Sequence, residues 1–120
     1  MKIMVVDDAA FMRLTLEKIF ISAGHEVIQA KDPVEALMLY QEHKPDLVTM
    51  DITMPEMNGV EGVKKLKEID PNARVIMISA MGQQSMVRDA IKAGALDFVV
   101  KPFQPERILT AINRAVQKNI

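Results

Sequence analysis

The sequence predicts an α/β fold in which a doubly wound, parallel sheet of five strands is covered by five helices on its two faces. Five short apolar runs of strand length alternate along the 120-residue chain with segments whose apolar residues recur at helical spacing. Three of these runs are almost continuously apolar, as in strands buried on both faces of a sheet. The length and the short loops predict one domain, residues 1–120.

The five predicted strands are short and bounded by charged or turn-forming residues. The first, third and fourth runs are the almost continuously apolar ones, whereas the second and fifth contain more polar residues. The runs are KIMVV (2–6), HEVIQA (25–30), DLVTM (46–50), RVIMI (74–78) and LDFVV (96–100).

Sequence signals for helix ends mark the first two predicted helices. The first helix covers 11–23 and is followed by Gly24, a residue that favours helix C-termini. The second begins at Pro33, with Asp32 as the N-cap and Glu35 in position for a capping-box-like contact.

The other three helices are predicted by the same rules. The third begins at Asn58 or Gly59 and ends before Pro71, the fourth covers 84–93, and the fifth begins near Pro105. The residues expected to face the core from the first, third and fifth helices are Met12, Leu16, Ile19, Phe20, Ala23, Gly62, Val63, Leu66, Ile69, Ile108, Leu109, Ile112 and Val116.

Composition excludes several classes of function. Fifteen Lys and Arg against sixteen Asp and Glu give a net charge of −1, so no general basic surface for nucleic acid or anionic membrane is expected. The absence of cysteine excludes disulfides and thiolate metal sites. No apolar run approaches the ~20 residues of a membrane span, and the first residues do not form a secretory signal. We therefore expect a cytoplasmic protein that acts through a local site.

Reactive side chains follow four of the five predicted strands. Ligands of doubly wound sheets bind at the carboxyl ends of the strands. Asp7 and Asp8 follow the first strand, Asp51 the third, Ser79 the fourth and Lys101 the fifth. Each has a simpler explanation alone: Asp8 as a helix N-cap, Ser79 as a cap or loop stabiliser, Lys101 as a surface charge. Their coincidence at one edge favours a functional site.

The predicted cluster requires positive charge. Two carboxylates 4 Å apart repel each other by about 4 kcal/mol at an effective dielectric near 20. Lys101 supplies one charge, and a hard divalent cation such as Mg²⁺ suits the remaining oxygen ligands. A metal-bound carboxylate beside a lysine and a hydroxyl is arranged to accept a phosphoryl group, so Asp51 is predicted to form an aspartyl phosphate, with Ser79 donating to a transferred oxygen.

Four motifs, in this order, resemble the receiver domain of bacterial two-component response regulators. They are VVDDAAFMR, DITMPEMNG, ISAMG and AGALDFVVKPF, and the resemblance extends over essentially the whole chain. Within the family, the sequence is similar to single-domain chemotaxis regulators. The resemblance implies a flavodoxin-like fold with the strand order 2-1-3-4-5.

The resemblance also implies the acceptor and the metal ligands. Asp51 is expected to accept a phosphoryl group from a sensor histidine kinase. Asp7, Asp8 and Asp51 are expected to hold Mg²⁺ together with the backbone carbonyl of Thr53, and one residue of the acidic pair binds through water.

Switching and phosphate lifetime are implied for other positions. Ser79 matches the switch hydroxyl, Lys101 the phosphate-contacting lysine and Phe98 the aromatic switch, where chemotaxis regulators usually carry tyrosine. The family further suggests a cis peptide bond before Pro102.

Two positions are expected to tune the attack of water on the phosphoryl group. These are Thr53 and Met81, each two residues beyond a site residue, and a bulky apolar side chain such as that of Met81 is predicted to slow autodephosphorylation.

Output is expected to pass through another protein, because only QKNI follows the fifth helix. The predicted contact face is formed by the fourth helix, the fifth strand and the fifth helix, with Met86, Lys92 and Arg107 as contacts. The resemblance implies a CheA-like kinase as donor, a flagellar motor switch protein as target and a phosphatase as a further partner. A monomer is expected, without nucleic-acid or membrane partners.

Four alternatives remain at this point. A stand-alone receiver of another phosphorelay has the same motifs. A Mg²⁺-dependent phosphohydrolase that forms an aspartyl phosphate usually carries a second aspartate where this chain has Thr53, so we expect no enzyme beyond self-phosphorylation and autodephosphorylation. A flavin binder is disfavoured because the DDAAFM loop would repel a phosphate. A receiver that serves only as a scaffold usually lacks an acidic or lysine position, and none is missing.

Overall fold

The predicted alternation of strands and helices is confirmed by the computed structural model, which describes residues 1–52, 58–80 and 82–117. All five strands are parallel and lie in the order β2-β1-β3-β4-β5. No helix in these ranges combines the length and hydropathy needed to cross a bilayer. The elements are β1 (Lys2–Val6), α1 (Ala10–Ser22), β2 (Glu26–Ala30), α2 (Pro33–His43), β3 (Leu47–Met50), α3 (Gly59–Ile69), β4 (Val75–Ser79), α4 (Gln84–Ala93), β5 (Asp97–Val100) and α5 (Pro105–Gln117).

The sheet separates two apolar clusters, because successive side chains of a strand point to opposite faces. Ile3 and Val5 of β1 pack in the cluster that contains buried residues of α1 and α5. Met4 and Val6 pack in the cluster that contains buried residues of α2, α3 and α4. Burial on both faces therefore explains why the first, third and fourth strands are almost continuously apolar.

The expected N-cap of α2, Asp32, is confirmed, and Asn58 is the N-cap of α3. Asp32 accepts the N–H of Glu35 at 2.8 Å, and Glu35 in turn accepts the N–H of Lys31 at 3.1 Å. Asn58 accepts the N–H of Glu61 at 3.0 Å. These bonds satisfy backbone donors that have no partner within the first turn of a helix, so the sequence signals mark the true helix starts.

The structure differs from the predictions at a few element ends. The helix α1 begins one residue earlier than expected, and strand limits shift by one residue. Ala23 and Ile69 were predicted to face the core, but Ala23 is exposed and Ile69 is 40% exposed. Both lie at helix C-termini, where periodicity predicts the direction of a side chain but not where the neighbouring layer ends.

A hydrogen bond joins α2 to the end of α3. The hydroxyl of buried Tyr40 donates to Asp70 Oδ2 at 2.8 Å. Donation by Tyr40, and then by the N–H of Asn72, holds the pKa of Asp70 below its usual value. Burial, and then the interaction with Asp70, raises the pKa of Tyr40. The bond is therefore strongest with Asp70 ionised and Tyr40 neutral.

The substitution Tyr40→Phe should lower the free energy of unfolding at neutral pH by about 1–2 kcal/mol, because it removes a hydrogen bond to a charged acceptor. Since folding lowers the pKa of Asp70, this contribution is complete above the ordinary pKa of 3.8 and is lost as pH falls through the lowered value. Urea unfolding across the acid range measures the difference. In an Asp70→Asn background the difference should not vary with pH; a variation there would contradict the assignment.

Candidate functional site

Main-chain hydrogen bonds bring the ends of the strands to one edge of the sheet. The N–H of Asp51 donates to the carbonyl of Val6 at 3.0 Å, and the N–H of Lys101 donates to the carbonyl of Ser79 at 2.8 Å. The N–H of Asp7 donates to the carbonyl of Ala30, the last residue of β2, at 3.2 Å. Asp7, Asp51 and Lys101 thus each continue the hydrogen bonding of the sheet by one residue beyond a strand end. The predicted residues therefore converge at this edge.

Three carboxylates lie together at this edge. Asp7, Asp8 and Asp51 each present an oxygen, and these oxygens all lie within 4.8 Å of one another. Asp7 and Asp51 are buried, with exposed fractions of 2% and 8%, whereas Asp8 is exposed. The cluster therefore combines buried negative charge with an opening to solvent.

The ammonium group of Lys101 lies between two of these carboxylates. Its Nζ is 2.9 Å from Asp7 Oδ2 and 3.5 Å from Asp51 Oδ2, and its side chain is 15% exposed. One ammonium offsets only part of the charge of three ionised carboxylates. An all-oxygen donor set with excess negative charge fits a hard divalent cation such as Mg²⁺.

Helix capping, the simpler explanation for Asp8 and one of the two for Ser79, is wrong. The N-cap of α1 is Ala9, without a side-chain hydrogen bond, and the N–H of Ala9 donates to Asp7 Oδ1 at 2.9 Å. The N-cap of α4 is Gln83. Helix capping therefore accounts for neither Asp8 nor Ser79.

Of the remaining described site residues, Ser79 lies at this edge, and Phe98 lies within β5, two residues before its end. Ser79 ends β4 and is 1% exposed. Phe98 pairs with Met77 across the β4–β5 ladder and is buried in the cluster that contains α2, α3 and α4. The peptide bond between Lys101 and Pro102 is cis, as the resemblance suggested.

Two predicted site residues, Thr53 and Met81, lie outside the described residues. The expected carbonyl ligand and the expected tuning of phosphate lifetime therefore stay predictions.

Sequence reasoning assigned Gly59 to the start of α3 but missed its contact with the site. A Cβ atom at Gly59 would overlap the carbonyl oxygen of Asp51 and lie 2.9 Å from its carbonyl carbon. The N–H of Gly59 donates to the carbonyl of Ile52 at 2.8 Å. The glycine that ends the motif DITMPEMNG was the available signal, because a glycine allows the close approach of two backbones.

Comparison with known proteins identifies the family. A model described as the response regulator receiver domain matches residues 3–113. The chemotaxis protein CheY of Bacillus subtilis is 58% identical over 116 residues, covering 96% of this chain and 97% of that protein. CheY of Thermotoga maritima is 58% identical over 114 residues, covering 94% and 95%. The chain belongs to the response regulator receiver domain family.

A solved structure agrees with this assignment. The CheX–CheY–BeF3–Mg²⁺ complex from Borrelia burgdorferi matches with a TM-score of 0.91 at 40% identity, covering 94% of this chain and 87% of that chain. Together with the identity to the two chemotaxis proteins, this makes the protein a two-component response regulator in chemotaxis.

The substitution Gly59→Ala should lower the free energy of unfolding by roughly 1–3 kcal/mol, because the new methyl group displaces the backbone of Asp51 or of α3. Urea unfolding measures the loss. The matched control is Gly62→Ala in the same helix, where the added carbon meets the flexible side chain of Met50 and should cost less. Equal stability of the two variants would contradict the proposed backbone contact.

Proposed function

We propose that this response regulator accepts a phosphoryl group on Asp51. The observation that carries the proposal is the ammonium of Lys101, which lies 3.5 Å from Asp51 Oδ2 and 2.9 Å from Asp7 Oδ2 in a mostly buried acidic cluster. A phosphoryl group on Asp51 would bring further negative oxygens to this edge, where the ammonium of Lys101 already lies beside the Asp51 carboxylate.

In the proposed reaction a carboxylate oxygen of Asp51 attacks the phosphorus of a phosphohistidine on the kinase. The new P–O bond forms as the P–N bond breaks, and the imidazole leaves with its electron pair and takes up a proton. Lys101 offsets charge on the transferred oxygens, and the Ser79 hydroxyl donates to one of them. The carboxylates of Asp7, Asp8 and Asp51 would hold Mg²⁺, with the carbonyl of Thr53 as the predicted further ligand, and the bound ion would supply further charge neutralisation.

The phosphorylated site is proposed to shift a conformational equilibrium that involves Ser79 and Phe98. The carbonyl of Ser79 accepts the N–H of Lys101, so a change at either residue affects the other. Movement of the Ser79 hydroxyl toward the phosphoryl group would carry the loop before α4, and the ring of Phe98 would occupy the space left behind. Phosphorylation then selects one of two existing states.

The proposed output face consists of α4, β5 and α5. Ile91 and Val100 are large apolar residues on this face, each 46% exposed. Arg107 of α5 contacts Asp97 Oδ1 at 3.3 Å and donates to the carbonyl of Phe98 at 3.3 Å, which ties the face to the switch residue. Of the other predicted contacts, Lys92 is exposed, whereas Met86 is partly buried.

The proposed partners are a CheA-like histidine kinase as donor and a flagellar motor switch protein as target. The chemotaxis relatives support this pathway. A phosphatase is proposed as a further partner, and the neighbouring structure in which CheX is bound to CheY supports recognition of such a domain by another protein. We propose a monomer whose chemistry is limited to self-phosphorylation and autodephosphorylation.

Incubation with acetyl phosphate and Mg²⁺ should add the mass of one phosphoryl group to the intact chain, because the donor transfers phosphorus and releases acetate. Mass spectrometry measures the gain. Omission of Mg²⁺ or the substitution Asp51→Asn should abolish it, whereas Asp89→Asn, at an exposed position of α4, should retain it. A gain that persists in Asp51→Asn would refute the assignment of the acceptor.

The substitution Met81→Glu is expected to shorten the lifetime of the phosphorylated protein, because an acidic side chain can orient water near the phosphoryl group, whereas methionine hinders its access. The decay of the phosphorylated mass after removal of the donor gives the rate. Met81→Leu, which keeps an apolar side chain, is the control. Equal decay of Met81→Glu and the native chain would exclude a tuning role.

A further inference from the structure

The side chain of Arg13 contacts the backbone of the acidic site. Its Nη1 donates to the main-chain carbonyl of Asp7 at 2.6 Å, across six residues of sequence. Hydrogen bonds from a charged donor are shorter and stronger than those between neutral groups. Arg13 therefore contacts the peptide unit that joins Asp7 to Asp8 and leaves the two carboxylates to other partners.

The guanidinium of Arg13 is itself held in place. Its Nε donates to Gln29 Oε1 at 3.1 Å, and Gln29 Nε2 donates to Glu17 Oε2 at 2.9 Å. Gln29 lies on β2, and Glu17 lies one turn after Arg13 on α1. All three side chains are half-buried, so this chain of hydrogen bonds links the edge strand, the first helix and the acidic site.

The held carbonyl restrains the backbone at Asp8. A peptide unit is planar, so an immobilised Asp7 carbonyl also fixes the N–H of Asp8. Asp7 has two further restraints, since its Oδ1 accepts the N–H of Ala9 and its Oδ2 accepts Lys101. Asp8 is exposed, and its carboxylate nonetheless lies within 4.8 Å of the other two. The orientation of the preceding peptide is a direct way to keep it there.

We propose that Arg13 is a positioning residue for the cation site: by holding the carbonyl of Asp7, it keeps the carboxylate of Asp8 directed at Asp7 and Asp51. This inference rests on the proposed function, because it concerns the Mg²⁺ ligands of the same site. Gln29 contributes by holding the guanidinium of Arg13.

The sign of the effect separates positioning from simple electrostatics. By charge alone, the guanidinium of Arg13 repels a cation, so its removal would strengthen Mg²⁺ binding. If Arg13 positions the ligands, its removal weakens binding in spite of the lost repulsion. A residue that orients metal ligands typically changes affinity by about 10- to 100-fold.

The test is calorimetric titration of the protein with Mg²⁺ alone, without a phosphoryl donor. Arg13→Ala should bind Mg²⁺ about tenfold more weakly, the lower end of the range for residues that orient metal ligands. Gln29→Leu, which keeps the charge of Arg13, should also bind more weakly. Arg114→Ala, which removes an exposed cation from α5, should bind as the native chain does.

The outcomes distinguish the possible failures. No Mg²⁺ binding by the native chain would overturn the proposed function and this inference with it. Binding by the native chain, with equal or tighter binding by Arg13→Ala, would overturn this inference alone. Circular dichroism of each variant checks folding, and if Arg13→Ala is unfolded, Gln29→Leu decides: weaker binding supports positioning, and unchanged binding overturns it.

Discussion

The balance of charge at the carboxyl edge of the sheet is the constraint on which the other features of the site depend. The parallel strand order places Asp7, Asp8 and Asp51 together, where their repulsion and partial burial oppose folding. Burying ionised groups is costly unless they are paired. Lys101 pairs with two of the carboxylates, and the end of β5 is therefore fixed by electrostatics as well as by the hydrogen bonds of the sheet.

Contacts with the main-chain carbonyls, rather than with the carboxylates, position the acidic residues. The carbonyl of Asp7 accepts Arg13, and the carbonyl of Asp51 is approached closely by Gly59. Both contacts leave the carboxylates available for other partners. The site thus depends on residues that need not touch a phosphoryl group, and these residues belong to the first turns of α1 and α3. Its geometry is a property of the strand–helix junctions as much as of the strands.

The sequence was sufficient to predict the element order, the N-cap of α2 and the convergence of the site, because periodicity, caps and strand ends are local signals. The strand order came from the family resemblance. Three features could not be predicted from the residues alone. The link from Arg13 through Gln29 to Glu17 joins elements that only tertiary packing brings together, and the exposure of Ile69 depends on where a neighbouring layer ends. The close approach of Gly59 to the carbonyl of Asp51 likewise became evident only from the packing.

The contact between Gly59 and Asp51 also has a mechanical consequence. Side chains at an interface usually absorb small displacements by rotating about their single bonds, but here two backbones meet directly and neither has such freedom. The contact is therefore stiff, and a shift of the main chain at Asp51 must displace α3 as a body. Because α3 packs against both α2 and α4, the displacement is distributed over one whole helical layer rather than absorbed locally.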